Sequence, residues 1–202
     1  VEIPCPYGFF GFGATTVSSV VAHFYGYYLS TGCGAKLLAP SHHSIKVAQA
    51  YYAETLTLEK NDLELPTSLD PQKIISEVMT FDRASTILFL RAFLTTTNCI
   101  DATLASLVLL QLQMLNIPSY YEQQKIFVDL DYKLRAEKLL GTKLPEGEQK
   151  FAGYRQEKNI FYIPLQGVTK AKVEVTYDFV VQKTESFLAN GIDNHNSGKS
   201  AI

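Results

Sequence analysis

The sequence lacks the features that mark membrane and secreted proteins. Its longest apolar runs, such as residues 107–110, are far too short to span a bilayer. No basic-then-apolar segment of the kind found in secretion signals opens the chain. The three cysteines form no CxxC pair and no even set for a disulfide framework. We therefore expect a cytosolic protein in a reducing compartment.

An excess of charge of one sign is also missing. The chain has 18 Lys and Arg against 20 Asp and Glu, which gives a formal net charge of −2 over 202 residues. Such a balance disfavours a protein that binds nucleic acid mainly through charge. Hydrophobic residues make up 47% of the chain, which is ample for the core of one large domain or two small ones.

Two segments in the middle of the chain follow the same plan. Apolar side chains recur at helical spacing over residues 16–29 and again over roughly 85–94, and each stretch closes on hydroxyl residues and a cysteine. A further helix follows each of them. The first begins behind Ser41 as its N-cap and runs to about Leu58, and the second begins behind Asp101 and stops at Pro118. The sequence thus predicts an internal repeat.

Strand-like segments lie between and after these helices. Residues 35–39 form one such segment, and alternating apolar residues over 125–132 predict another. Residues 161–165 and 173–181 predict strands near the end of the chain. Residues 143–156 are rich in Gly, Pro and charge and indicate a connector between domains. The His42-His43 pair fits an exposed first helical turn better than a metal site.

The last block of the chain carries the clearest chemistry. Residues 186–197 read SFLANGIDNHNS: an apolar segment, a glycine, a His-Asn pair and a hydroxyl residue. The side-chain amide of Asn196 can attack its own backbone carbonyl and break the chain behind it, while Ser197 offers a nucleophile. The bond between them is therefore a candidate site of cleavage and rejoining. Residues 197–202, SGKSAI, read as the second half of a phosphate-binding loop without its first glycine.

This block, together with the upstream segment VEVTYDFVV at residues 173–181, resembles the C-terminal splice junction of inteins. The resemblance implies that Ser197 attacks the activated acyl group at the upstream junction and that Asn196 then cyclises to a succinimide. It implies that His195 protonates the departing group and that Asp178 helps to coordinate the first and third steps. Glu185 stands where the family often has a histidine.

The resemblance also implies partners and no cofactor. The partners are an N-terminal intein fragment and a host protein, which the loop remnant at residues 197–202 suggests is a P-loop ATPase. A complete intein opens with Cys, Ser or Ala and carries a TxxH block. This chain instead opens with residues 1–4, VEIP, which resemble the end of the strand that precedes the endonuclease insert in the family. Two alternatives stay open: the C-terminal piece of a split intein, which splices in trans, or a truncated or processed product.

The repeat resembles the paired helices of LAGLIDADG homing endonucleases, which are commonly embedded in inteins. The matching segments are FYGYYLSTG at residues 24–32 and LRAFLTTTN at residues 90–98. Gly26 and Ala92 fall at the motif position where the two helices cross closely. Thr31 and Thr97 stand where the family has the acidic residues that hold magnesium. The resemblance therefore predicts a nuclease-dead domain without a metal site.

These expectations define an architecture of the α/β plus all-β class: a LAGLIDADG-like pseudo-twofold αββαββα domain joined to the C-terminal strands of an intein (Hint-type) splicing domain. We expect a splicing-domain strand within residues 1–12, the endonuclease-like domain at 13–150, the splicing segment at 151–196 and a host remnant at 197–202. The alternative function is a DNA-binding LAGLIDADG endonuclease or maturase-like protein, and the charge balance makes DNA a weak partner.

Overall fold

A computed structural model describes residues 2–8, 11–96, 102–164, 186–189 and 192–195 of the chain, and these form a mixed α/β structure. The helices of these residues are α1 (Ser19–Thr31), α2 (His42–Tyr52), α3 (Pro71–Val78), α4 (Arg83–Leu94), α5 (Ala102–Met114) and α6 (Lys133–Leu140), with a 3₁₀ turn at Leu130–Tyr132. None of the helices in these ranges is long and apolar enough to cross a membrane.

The strands are short and pair into small antiparallel sheets. They are β1 (Glu2–Pro6), β2 (Gly32–Cys33), β3 (Lys36–Leu37), β4 (Leu58–Glu59), β5 (Asp62–Glu64), β6 (Ser119–Glu122), β7 (Lys125–Val128), β8 (Arg155–Glu157), β9 (Ile160–Pro164), β10 (Ser186–Ala189) and β11 (Ile192–His195). Strands β2–β5 form one sheet in the order β2-β3-β5-β4, and β6 pairs with β7.

Side chains at the helix starts explain where three of the helices begin. Ser18 accepts a hydrogen bond from the Val21 amide at α1, and the predicted N-cap Ser41 accepts one from the Ser44 amide at α2, which confirms that prediction. Asp82 caps α4 by accepting from the Ser85 amide at 2.8 Å. Each cap satisfies an amide that the helix itself leaves without a partner.

Two predicted boundaries are wrong. Helix α2 ends at Tyr52 and not near Leu58, because Ala53 adopts a left-handed conformation (φ 55°) and its amide closes the helix on the Gln49 carbonyl. Strand β7 ends at Val128, and residues 130–132 form the 3₁₀ turn. The turn forms because the Asp129 side chain accepts the amide hydrogen of Asp131, which diverts the backbone from the strand.

Most of the buried side chains belong to one cluster, which we call the helical body. It is built on the crossing of α1 and α4, with α2, α3, α5 and α6 packed around them. Its largest fully buried members are aromatic, namely Phe24, Tyr28, Phe81 and Phe89. Arg91 near the end of α4 donates to the carbonyl of Leu140 at the end of α6, which ties the last helix to the body.

The two halves of the body share part of one plan. The first half has the order helix, hairpin, helix, hairpin, helix, from α1 through β2–β5 to α3. Among the described residues of the second half, α4 is followed by α5, the β6–β7 hairpin and α6. Only residues 95–101 separate α4 from α5, and of these the structure describes Thr95 and Thr96.

A three-stranded sheet joins the first described strand to strands that follow the helical body in the sequence. Strand β1 pairs antiparallel with β9, with Glu2 opposite Pro164 and Pro6 opposite Ile160, and β9 pairs with β8. We call these three strands the return sheet. Its own buried cluster consists of Tyr7, Phe151 and Phe161. Strands β10 and β11 form a hairpin, and Cα atoms of β11 come within 8 Å of those of β1.

Candidate functional site

The predicted splice junction adjoins the end of the β10–β11 hairpin. His195 is the last residue of β11 and lies opposite Ser186 of β10. Strand β11, which His195 ends, has Cα atoms within 8 Å of those of β1 in the return sheet. Asn196, Ser197 and Asp178 lie outside the described residues, and so does Glu185. The structure thus describes the strand that precedes the predicted junction, whereas the residues predicted to react are known from the sequence alone.

Gly26 and Ala92 meet where α1 crosses α4. A Cβ atom added at Gly26 would lie 2.5 Å from the Phe89 carbonyl oxygen, 2.8 Å from the Ala92 Cβ and 2.9 Å from the Phe93 nitrogen. Ala92 is fully buried at this contact. Two of these three neighbours are backbone atoms, which cannot move aside as a flexible side chain can. The crossing therefore requires a residue without a side chain at position 26.

Thr31, the first predicted degenerate nuclease position, ends α1. Its hydroxyl donates to the carbonyl oxygen of Tyr27 at 2.8 Å, so it acts within its own helix. The second position, Thr97, lies outside the described residues. Within the described ranges, no group of three or more His, Cys, Asp and Glu side chains is placed to hold a metal ion. A neutral hydroxyl engaged in this way is a poor ligand for magnesium, which prefers anionic oxygen.

The sheet beside α1 carries more acid than base. Its four strands contain a single Lys, Lys36, and three acids, Glu59, Asp62 and Glu64. The Lys36 ammonium lies 2.6 Å from the Glu64 carboxylate, and both side chains are partly exposed. Contact with the phosphates of DNA requires a net positive surface. The charges on these strands do not favour a DNA-binding saddle here.

A cleft of about 630 Å³ lies between the return sheet and helices α3 and α5. Cys5, Tyr7 and Ile163 line one side, and Met79 and Leu110 are among the residues on the other. Burial raises the pKa of the Cys5 thiol. Burial, and then the nearby charges of Cys5, Tyr132 and Asp129, raise the pKa of the Tyr7 phenol. Both groups therefore stay protonated near neutral pH and do not form an activated nucleophile.

Histidines from two helices come together on the surface of the body. The rings of His23 (α1) and His43 (α2) lie 6.2 Å apart, and Nδ1 of His23 is 2.7 Å from the Ser19 carbonyl oxygen. Burial lowers the pKa of His23; the bond to the Ser19 carbonyl opposes this shift, and the charges of Arg91 and His43 add to it. His42 and His43 are exposed at the start of α2, as the sequence indicated.

One buried carboxyl group was not predicted from the sequence. Asp129 follows β7 and is completely buried. It accepts hydrogen bonds from the amides of Asp131, at 3.1 Å, and Phe151, at 2.8 Å. A signal was present in the sequence, since an Asp two residues before a further polar turn residue is typical of a side chain that caps a turn. Nothing in the sequence indicated its partner in residues 144–151.

Comparisons of the chain with protein-family models, with curated proteins and with solved structures found no match. The function is therefore inferred from the residues of this chain and from where the fold places them.

Proposed function

We propose that this chain contains the C-terminal part of an intein, which splices a host protein through Asn196 and Ser197, and that residues 13–150 are a LAGLIDADG-like insert without nuclease activity. The observation that carries the proposal is the order His-Asn-Ser directly at the end of β11, a strand that runs alongside β1. The nucleophile for the first acyl shift comes from an N-terminal splicing segment, supplied as a separate fragment in trans-splicing.

The pairing of β1 with β9 supports an interrupted splicing domain. These strands lie on either side of the whole helical body in the sequence, yet all five residues of β1 are in register with β9. A domain interrupted by an insert is expected to bring the strands before and after the insert into one sheet. The return sheet has this arrangement.

The first half of the helical body supports the character of the insert. Its order of helix, hairpin, helix, hairpin, helix is the one that a LAGLIDADG repeat implies, and its first helix crosses α4 at Gly26 and Ala92. The second half has a shorter described order, which fits a degenerate copy. Thr31, bonded to its own helix, offers no anionic ligand for a catalytic metal.

The reaction follows from the adjacent residues at the junction. The hydroxyl of Ser197 attacks the acyl carbon held by the upstream nucleophile; the bond to that nucleophile breaks, the nucleophile takes up the proton, and the preceding host segment moves onto the Ser197 oxygen. The amide nitrogen of Asn196 then attacks its own carbonyl carbon, and the bond to Ser197 breaks. His195 donates a proton to the departing amine of Ser197. The ester on Ser197 finally shifts to its freed amine, which leaves an ordinary peptide bond between the host segments.

Cleavage at Asn196 gives a test that needs no partner fragment. A reporter protein is fused behind Ile202 and the fusion is incubated near neutral pH. We expect slow release of a reporter that begins with Ser197, and intact mass should show the other product lighter by one water than the hydrolysed form, as a succinimide requires. Asn196→Ala should abolish release and His195→Ala should slow it.

Asn159→Ala is the matched control, because it makes the same chemical change in an exposed turn between β8 and β9. It should release the reporter at the original rate. Release that persists in Asn196→Ala, or that stops equally in Asn159→Ala, would remove Asn196 from the proposed role.

Ligation tests the complete reaction. The chain is mixed with an N-terminal intein fragment that carries its own host segment, and mass spectrometry is used to look for the two host segments joined at Ser197. Ligation should require Ser197 as well as Asn196, because Ser197 carries the branched ester. A ligated product from a Ser197→Ala chain would show that a different route joins the segments.

Nuclease activity of the insert is expected to be absent. Plasmid and lambda DNA are incubated with the chain in magnesium and in manganese, and products are examined for specific double-strand breaks. Any such break would overturn the assignment of Thr31 and Thr97 as degenerate positions.

A further inference from the structure

Residues 144–151, which we call the strap, lie along the β6–β7 hairpin although they form no helix or strand. The amide of Glu148 donates to the Tyr120 hydroxyl at 2.6 Å, and the amide of Leu130 donates to the Glu148 carbonyl oxygen at 3.3 Å. The segment that the sequence indicates as part of a connector is therefore bonded to the helical body through both the amide and the carbonyl of Glu148.

Close backbone approach adds to this attachment. A Cβ atom at Gly147 would lie 2.4 Å from the carbonyl oxygen of Val128, the last residue of β7. Only glycine lets the strap come this near to the strand. The strap thus follows the hairpin at a distance that excludes a side chain.

Asp129 fastens the end of the strap. One of its carboxyl oxygens accepts the Phe151 amide hydrogen and the other accepts that of Asp131. Within the described residues no Lys or Arg forms an ion pair with it. A fully buried carboxyl group depends on these amides, since an unpartnered polar group inside a protein is costly. Loss of Asp129 would also leave the Phe151 amide without its partner.

Phe151 is the point at which the strap meets the return sheet. Its ring packs edge-on against Phe161 of β9 at 5.4 Å and against Tyr7, next to β1, at 6.3 Å. Tyr7 and Phe161 pack against each other at 5.1 Å. Tyr132, in the turn behind Asp129, also contacts Phe161, at 6.0 Å. The buried cluster of the return sheet therefore includes the residue that Asp129 holds.

A second tie joins the body to β1. The amide of Gly8 donates to the carbonyl oxygen of Gln113 in α5 at 2.8 Å, and the Gln113 side chain donates to the Pro6 carbonyl oxygen at 2.6 Å. Strand β1 is thus attached to the body at its C-terminal end and through the aromatic cluster. Its N-terminal part is held by β9.

From these contacts we propose that the β6–β7 hairpin and the strap are a structural part of the return sheet, and that Asp129 is a positioning residue for the reaction at Asn196. Asp129 holds Phe151, Phe151 holds β1 and β9, and β1 runs alongside the β11 strand that leads to Asn196. The insert is then not a freely removable domain. The effect on Asn196 rests on the proposed function, whereas the attachment of the sheet does not.

The test compares three variants of the full chain by hydrogen exchange. Asp129→Ala removes both acceptors, and Asp129→Asn keeps one amide oxygen as an acceptor. Asp131→Ala is the matched control, because it removes an exposed carboxylate whose one partner within the described ranges is the Gln149 side chain of the strap, at 2.7 and 2.9 Å. The reporters are the amides of β1 and β9, with the amides of α1 and α4 as the internal reference.

In Asp129→Ala we expect the amides of β1 and β9 to exchange about tenfold faster, while those of α1 and α4 keep their rates. Asp129→Asn should restore part of the protection, and Asp131→Ala should match the original chain. Unchanged exchange at β1 and β9 in Asp129→Ala, or equal acceleration at α1 and α4, would overturn the proposal. If Asp129→Ala does not fold, the same comparison is made with Asp129→Asn.

The same variants are then fused to the reporter used for Asn196. Release should slow in Asp129→Ala in parallel with the loss of protection and recover in part in Asp129→Asn. Faster exchange with an unchanged rate of release would overturn the positioning role. If exchange responds as expected but even the original chain releases no reporter, the attachment of the sheet stands and the proposed function fails.

Discussion

The helical body and the return sheet are held together in opposite ways. In the body, α1 and α4 approach so closely that Gly26 faces backbone atoms of α4, inside a core that buries most of the apolar side chains. Among the residues whose burial the structure describes, the return sheet's own buried cluster is Tyr7, Phe151 and Phe161, and the sheet depends on hydrogen bonds from the body. Close packing thus limits which substitutions the body tolerates, whereas the stability of the sheet depends on a small number of attachments.

The largest expected effect comes from filling the helix crossing. Gly26→Val places a branched side chain against backbone atoms at 2.5 and 2.9 Å, so the two helices must separate. We expect the free energy of unfolding to fall by about 3 kcal/mol, measured by urea unfolding followed by circular dichroism. Gly11→Val is the control, because a Cβ at Gly11 meets nothing within 4 Å. Equal stability of the two variants would show that the crossing is not close in solution.

An effect of similar size, but confined to one region, is expected in the return sheet. Phe161→Ala leaves a cavity between Tyr7 and Phe151 and should weaken the local stability of the sheet by about 3 kcal/mol. Hydrogen exchange should become faster in β1 and β9, while α1 and α4 keep their protection. Equal loss of protection in the helices would mean that the two regions unfold as one unit and would end the contrast between them.

The smallest effect concerns the caps of the crossing helices. Asp82 accepts from the Thr16 hydroxyl and the Ser85 amide, and these hydrogen bonds, with that from Thr16 first, lower the pKa of its carboxyl group. A carboxyl group whose pKa is lowered by folding stabilises the protein at pH values above its pKa in the unfolded chain. That contribution is lost as the pH falls through its pKa in the folded protein. The advantage over Asp82→Ala, measured by urea midpoints, should therefore shrink on acidification below about pH 4.

Ser18, the cap of α1, provides the comparison. Its hydroxyl does not titrate in this range, so the difference between the original chain and Ser18→Ala should stay constant with pH. A pH-dependent loss in Ser18→Ala as large as that in Asp82→Ala would assign the effect to other carboxyl groups.

The sequence predicted helices best where apolar periodicity and a cap agreed. Helices α1, α4 and α5 fall on the predicted apolar stretches, and Ser41 begins α2. Helix α3 was missed although Asp70 caps it and Pro71 occupies its first turn, because its eight residues are short for a periodic pattern. Helix α6 has no side-chain cap and continues from the 3₁₀ turn, so no local signal marks its start.

The candidate site likewise has a part that could be predicted from the sequence and a part that could not. The chemistry assigned to Asn196 and Ser197 needs only that they are neighbours in the chain, so it could be inferred from the order of residues. The position of His195 on a hairpin near β1 is not local, because β1 and β11 lie at opposite ends of the chain. The turn cap of Asp129 had a local signal, but its bond to Phe151 could not be inferred, since Phe151 lies in a segment without periodicity.

The sequence by itself determined the main helices, their caps and the order of groups at the candidate junction, because each depends on residues within one or two turns of each other. Only the tertiary structure decided how close the helices come at Gly26, that β1 pairs with β9 and that a buried carboxyl group ties the strap to the return sheet. Each of these depends on segments far apart in the chain, and they meet only when the core excludes water and brings backbones into contact.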